Sequence, residues 1–123
     1  MSAAGATRWP VELRLKKAEK LLEVAYDDGS RFRLPAEYLR VESPSAEVQG
    51  HGPSQKKIVS GRRHVKIAAI EPVGHYAIRI VFDDRHDTGI YSWAYLRELG
   101  DTYAERWAAY QAALLYRGLS RDA

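Results

Sequence analysis

No cysteine occurs in the 123 residues. That absence removes disulfides, thiolate zinc sites, cysteine-ligated iron–sulfur clusters and cysteine nucleophiles together. No apolar run approaches membrane-spanning length, and the opening stretch "MSAAGATRWPVELRL" lacks the apolar block of a secretory signal. A cytoplasmic protein that avoids membranes is the expectation. Catalytic signatures are missing too. None of the four histidines, His51, His64, His75 and His86, forms a His-x-x-x-His pair. Asp87 directly follows His86, so the His-x-Asp pair of a facial-triad iron site is absent. There is no Gly-x-Ser-x-Gly elbow, and the glycines of "GHG" at 50–52 run into Pro53 without a strand–glycine–helix context. The chain is expected to be no enzyme and to need no cofactor.

Acidic residues are missing from one region. Between Val48 and Ile70 there is no Asp or Glu, while Lys56, Lys57, Arg62, Arg63 and Lys66 supply +5. The whole chain carries +3, so the remainder carries −2. The positive charge is local, and a local patch speaks to partners more directly than net charge does. The same region, from Glu42 to His64, has lost apolar periodicity and is rich in Gly, Pro and Ser. It reads as a long loop, most mobile over 48–62, whose four cations Lys56, Lys57, Arg62 and Arg63 are expendable for folding.

What is present describes an ordinary folded domain: 46% hydrophobic and 28% charged residues, too apolar for wholesale disorder. Residues 1–9 form a leader. Val11, Leu13 and Leu15 alternate with charges, as a half-buried strand requires. Leu22, Val24 and Tyr26, then Phe32 and Leu34, do the same around Asp28-Gly29, a hairpin turn. Pro35 suits the first turn of a short helix. After the loop come "HVKIAAI" and a strand with Tyr76, Ile78, Ile80 and Phe82 on one face. Ser92 is placed to cap a helix that Gly100 would end, with Trp93 buried at its start. Thr102 and Glu105 form a capping-box pattern, and Tyr103, Trp107, Tyr110 and Leu114 recur at helical spacing up to Gly118. This stripe of a C-terminal amphipathic helix reads as core. Strands first, helices last predicts an α+β domain: a mainly antiparallel sheet of hairpins with helices packed on one side.

Between two apolar runs lies "FDDRHDTGIYSW", with three acids, an arginine and a histidine. It lacks the alternating oxygen ligands of a calcium loop, and Asp favours turns, so it reads as a polar hairpin turn. The stretches "YDDGSRFRLP", "LPAEYLRVESPSAEVQG" and "VKIAAIEPVGHYAIRIVFDDRHDTGIYSWAYLREL" together resemble the gamma-butyrobetaine hydroxylase-like N-terminal domain family, over about residues 10–100. The resemblance implies a small stand-alone bacterial domain. Relatives of that family also sit at the N-terminus of carnitine-pathway oxygenases and on Mrp-type ATPases of iron–sulfur cluster work. Oxygenase chemistry would need a separate domain that this chain lacks. In metal-binding members, three cysteines and a histidine hold zinc. Here those positions fall on Ser43, Ser45, Val48 and His86, which leaves one ligand where a structural site needs four.

Three functions follow as expectations. The first is a non-enzymatic accessory or adaptor domain, a monomer or weak dimer, that docks onto a protein partner through the basic loop and nearby aromatics. By resemblance, it would be linked to iron–sulfur or metal-protein assembly. The second is nucleic-acid or other polyanion binding through loop 49–66, for which no nucleic-acid-binding motif is present. The third is a divergent metal-binding protein.

Overall fold

A computed structural model describes residues 9–122. The leader expected over residues 1–9 therefore lies, apart from Trp9, outside the described residues. The chain is α+β, and the six strands of the described residues divide between two three-stranded antiparallel sheets. The first holds β1 (Pro10–Lys16), β2 (Leu21–Tyr26) and β3 (Arg31–Pro35); the second holds β4 (Ile67–Val73), β5 (Ala77–Phe82) and β6 (Ile90–Ser92). Helix α1 (Ala36–Val41) leaves the first sheet directly, and a short α2 (Ala46–Gln49) follows it. Helices α3 (Trp93–Asp101) and α4 (Tyr103–Arg117) close the chain.

The alternation read from the sequence places Leu22, Val24 and Leu34 in the core, with Leu22 opposite Leu34 and Val24 opposite Phe32. Gly29 supplies the positive φ of 88° that the hairpin turn needs, and Asp28 Oδ1 accepts the Ser30 N–H at 3.0 Å. In the second sheet Ile67, Ile78, Ile80, Phe82 and Tyr91 face the same core, joined by Tyr38 and Leu39 of α1 and Leu96 and Leu99 of α3. Two residues leave the predicted faces. A bulge between Pro10 and Glu12 turns Val11 out to solvent, and Tyr76 lies exposed in the turn ahead of β5.

Helix ends also depart from expectation. Ser92 caps α3 as predicted, its Oγ accepting the Tyr95 N–H at 3.0 Å. Gly100 does not end that helix, which runs one residue further. Its role is steric: a Cβ at Gly100 would stand 2.5 Å from the Phe32 ring. Thr102 makes no capping box; its Oγ1 donates to the Glu98 carbonyl at 2.6 Å instead. Trp93 is half-buried, with Nε1 donating to the His75 carbonyl at 2.7 Å. Helix α4 does present its predicted stripe, ending at Gly118 in the left-handed conformation. Tyr103 and Trp107 pack against Tyr38, and Tyr110 and Leu114 against Val41.

Three of the 8 tyrosines close helix ends. A short helix leaves its last carbonyls without partners. Tyr91 donates to the Leu39 carbonyl at 2.5 Å, Tyr38 to Leu99 at 2.7 Å and Tyr95 to Glu42 at 2.6 Å. Each ring adds apolar burial while its hydroxyl closes a helix end.

Gly100→Ala should lower stability by about 1 kcal/mol. Crowding of a packed interior costs about 1–3 kcal/mol, against a helix-propensity gain of up to about 1 kcal/mol. Denaturant unfolding gives the sign; a gain in stability would show that the Phe32 ring yields freely.

Candidate functional site

The four positions singled out at the degenerate metal corner do meet. Ser43 follows α1, Ser45 N-caps α2 with its Oγ 3.2 Å from the Glu47 N–H, Val48 is buried within α2, and His86 sits in the turn between β5 and β6. His86 Nε2 lies 2.8 Å from Ser43 Oγ, and its Nδ1 lies 3.0 Å from Glu47 Oε1. A carboxylate only accepts, so Nδ1 carries the proton, Nε2 accepts, and Ser43 donates. Ser43 Oγ in turn accepts the Ser45 N–H at 3.2 Å, and Ser45 Oγ pairs with Thr88 Oγ1 at 2.7 Å. Gly89 makes the approach possible, since a Cβ there would stand 2.6 Å from Ser43 Oγ. Burial and the Arg40 guanidinium hold the His86 pKa below its ordinary 6.5, against the opposing pull of Glu47.

Ser43, His86 and Glu47 have the spacing of a nucleophile, base and orienting carboxylate. Ser43 is fully buried, however, and its oxygen already accepts a backbone N–H. Zinc fits no better: both imidazole nitrogens are engaged, Ser hydroxyls are weak ligands and Val48 offers none. Among the described residues, no group of three or more His, Asp or Glu side chains is placed to hold a metal. Glu47 is the residue that sequence reasoning missed. Its signal was a Ser N-cap followed by an acid in the first turn, within a stretch read as loop.

The basic residues are more dispersed than their spacing implied. Lys56 Nζ reaches the buried Glu42 Oε1 at 2.7 Å, where Arg106 Nη1 also arrives at 2.9 Å. Arg63 pairs with Asp122 at 2.6 Å. Arg62 Nε stands 2.8 Å from Asp84 Oδ2, an ion contact without hydrogen-bond alignment, while Arg40 Nε donates to the same oxygen at 2.7 Å. Burial alone would raise the Asp84 pKa, but the Arg40 bond, the His86 N–H and the charges of Arg40 and Arg62 together lower it. Lys66 uses its backbone N–H on Asp83 Oδ1 at 2.9 Å. Among the described residues, acids pair with the side chains of Lys56, Arg62 and Arg63 and with neither Lys57 nor Lys66. The segment is also tied down: Lys57 N donates to the Val48 carbonyl at 2.7 Å, Gly61 N to Ser120 at 2.9 Å, and Arg63 N to Arg121 at 3.0 Å. Lys56, Arg62 and Arg63 therefore take part in the fold, and replacing all four cations by Ser would unclamp Glu42, Asp84 and Asp122.

Where this segment lies against α4 there is a groove of about 310 Å³. Its apolar surface comes from Val41, Ile58, Val59, Tyr110, Ala109 and Ala113, and Lys56, Lys57, Arg106 and Glu42 stand along it. Tyr110 is pinned, its hydroxyl donating to the Val59 carbonyl at 2.6 Å. A shallower hollow of about 300 Å³ beside Asp84 is lined by Arg62, Arg63 and Arg121, each already paired with an acid.

A family model described as "Gamma-butyrobetaine hydroxylase-like, N-terminal" matches residues 13–97. Two NMR solution structures are each 44% identical to the chain. One has a TM-score of 0.84, covering 95% of this chain and 92% of that one. The other has a TM-score of 0.82, covering 98% and 90%. A crystal structure of a protein of unknown function of the DUF971 family, from Acidithiobacillus ferrooxidans, is 42% identical with a TM-score of 0.63, covering 74% of this chain and 91% of that one. No curated protein matches the chain.

Three outcomes test the histidine corner. Because the folded-state pKa of His86 is depressed, the unfolded chain binds more protons as pH falls below 6.5. Stability should therefore decline as pH falls from about 6.5 to the folded pKa and be insensitive to this group above about pH 6.5. Thermal unfolding across pH should show that slope in wild type and lose it in His86→Gln. Ser43→Ala should cost about 1–3 kcal/mol by leaving a buried Nε2 without a donor. Elemental analysis of the purified protein should find no stoichiometric zinc or iron; about one metal per chain would restore the metal reading.

Proposed function

The chain belongs to the gamma-butyrobetaine hydroxylase-like N-terminal family, and we propose that it acts as a non-enzymatic adaptor, docking onto a protein partner through the groove between residues 53–59 and α4. One observation carries this reading: the groove combines an apolar floor with a rim cation, Lys57, that pairs with no acid among the described residues. A volume of about 310 Å³ is at the small end of ligand cavities and suits one or two side chains of a partner. Tyr103 stacks on Trp107 at 6.3 Å and Trp107 tilts against Tyr110 at 5.2 Å, so these three rings are engaged within the fold, and Tyr116 is the one exposed ring on this helix among the described residues. A single-stranded nucleic acid needs free aromatic faces and a continuous basic track. With three of the five cations of 49–66 held in ion pairs with Glu42, Asp84 and Asp122, the protein-docking reading accounts for more of this surface than the polyanion reading does.

Ala113→Glu places a charge in the groove without touching an ion pair, and should alter stability by no more than about 0.5 kcal/mol. Affinity capture from the native organism should lose a specific partner with Ala113→Glu and keep it with Val11→Ser on the opposite hairpin. A variant that folds normally and retains every partner would end the docking reading. A nucleic-acid ligand indifferent to Ala113→Glu, and lost with salt at a log–log slope of about −0.7 to −0.9 per phosphate, would put polyanion binding in its place.

A further inference from the structure

We infer that the groove receives a short partner segment in which an aliphatic side chain is followed closely by a carboxylate. The aliphatic group seats against Ile58, Val59 and Tyr110, and the carboxylate pairs with Lys57. This rests on the docking reading above and specifies its ligand.

The charges around the groove decide the sign. Lys56 and Arg106 both spend themselves on Glu42 Oε1, at 2.7 and 2.9 Å, and Arg106 also pairs with Glu98. Lys57 is exposed and lies on the lining, with no acid between Val48 and Ile70 to answer it. A bound segment that is neutral leaves this ammonium unmatched, and a basic one is repelled by it. The carboxylate of Glu42 cannot attract a cation, because it is buried and already carries two.

The apolar component follows from helical spacing. Ala109 and Ala113 stand at i and i+4 on α4, and Tyr116 follows at i+7 on the same face. Ala109 and Ala113 leave the groove open, while Tyr116, 91% exposed, follows on the helix beyond the lining residues. A cleft of about 310 Å³ with small residues in its wall accepts a protruding side chain.

An NMR titration tests this with end-capped heptapeptides in a Ser/Gly background, up to millimolar concentration. One peptide carries two leucines and an aspartate; a second replaces the aspartate with lysine; a third replaces the leucines with serine. The first should shift the amides of Ile58, Val59, Ala109 and Ala113. The second should bind about fivefold more weakly at low salt, the scale of exposed ion pairs, and the gap should close in 1 M salt. The third should not bind. Lys57→Glu should invert the preference between the first two peptides, and Ala113→Glu should abolish both. Equal binding of both charged peptides, no effect of Lys57→Glu, or no shift in the groove would each overturn the inference. If Ala113→Glu still releases the native partner while the peptides fail in this way, the docking reading survives and only its acidic-aliphatic ligand is lost.

Discussion

The buried carboxylate of Glu42 is the point on which three separate parts of the chain converge. It sits at the C-terminal end of α1, takes Lys56 from the basic segment and Arg106 from α4, and lends its own carbonyl to the Tyr95 hydroxyl. A buried ion pair stabilises little in net terms, because desolvation offsets most of the attraction. Its importance is conditional. Once the carboxylate is inside, removing either cation leaves an uncompensated charge, a loss of about 3–5 kcal/mol for a fully buried pair and less here, where both cations are partly hydrated. The two walls of the groove are therefore not free to separate. The candidate site is held open by a charge placed behind it.

The histidine corner illustrates a different economy. Structural zinc contributes about 10–16 kcal/mol to the fold of a small domain, whereas each hydrogen bond from Ser43 or Glu47 to His86 yields a net of about 0.5–1.5 kcal/mol. A hydrogen-bonded corner cannot replace a metal in strength. It needs a core that already brings the turn between β5 and β6 against the end of α1. That core is present: Val41, Val48 and Tyr91 are all buried, and Tyr91 locks onto the Leu39 carbonyl. The polar contacts select which residues meet, and burial supplies the free energy.

Much of this was legible in the residues. The Asp28-Gly29 hairpin, the Ser92 cap, the α4 stripe and its end at Gly118 are local patterns, and local patterns survive folding. The convergence of Ser43, Ser45, Val48 and His86 came through family resemblance, since residues 43 apart in sequence give no local sign of contact. Missed were features that depend on a distant neighbour. Gly100 read as a helix stop because glycine usually is one; its cause is the Phe32 ring, 68 residues earlier. Thr102 and Glu105 matched a capping box, but the Thr102 hydroxyl found the Glu98 carbonyl first. The split into two sheets follows from the long segment between α1 and β4, whose length the sequence shows and whose path it does not.

The basic segment shows most clearly how sequence and space differ. Along the chain, five cations stand without an acid; in the fold, Glu42, Asp84 and Asp122 arrive from outside and leave Lys57 and Lys66. On the proposed docking reading, a partner would meet an apolar cleft with Lys57 on its rim. One large apolar side chain buried there contributes about 1.5–3 kcal/mol, and the rim ion pair at most about 1 kcal/mol. Association costs at least about 4 kcal/mol in lost freedom, so the groove cannot hold a partner tightly by itself. It can fix register and charge while affinity comes from flanking area. Leu115, Tyr116 and Leu119, all exposed at the far end of α4, are the apolar surface nearest in sequence to its wall. The arrangement therefore suits a weak, specific grip on an isolated segment and a firmer one on a whole partner that also covers the end of that helix.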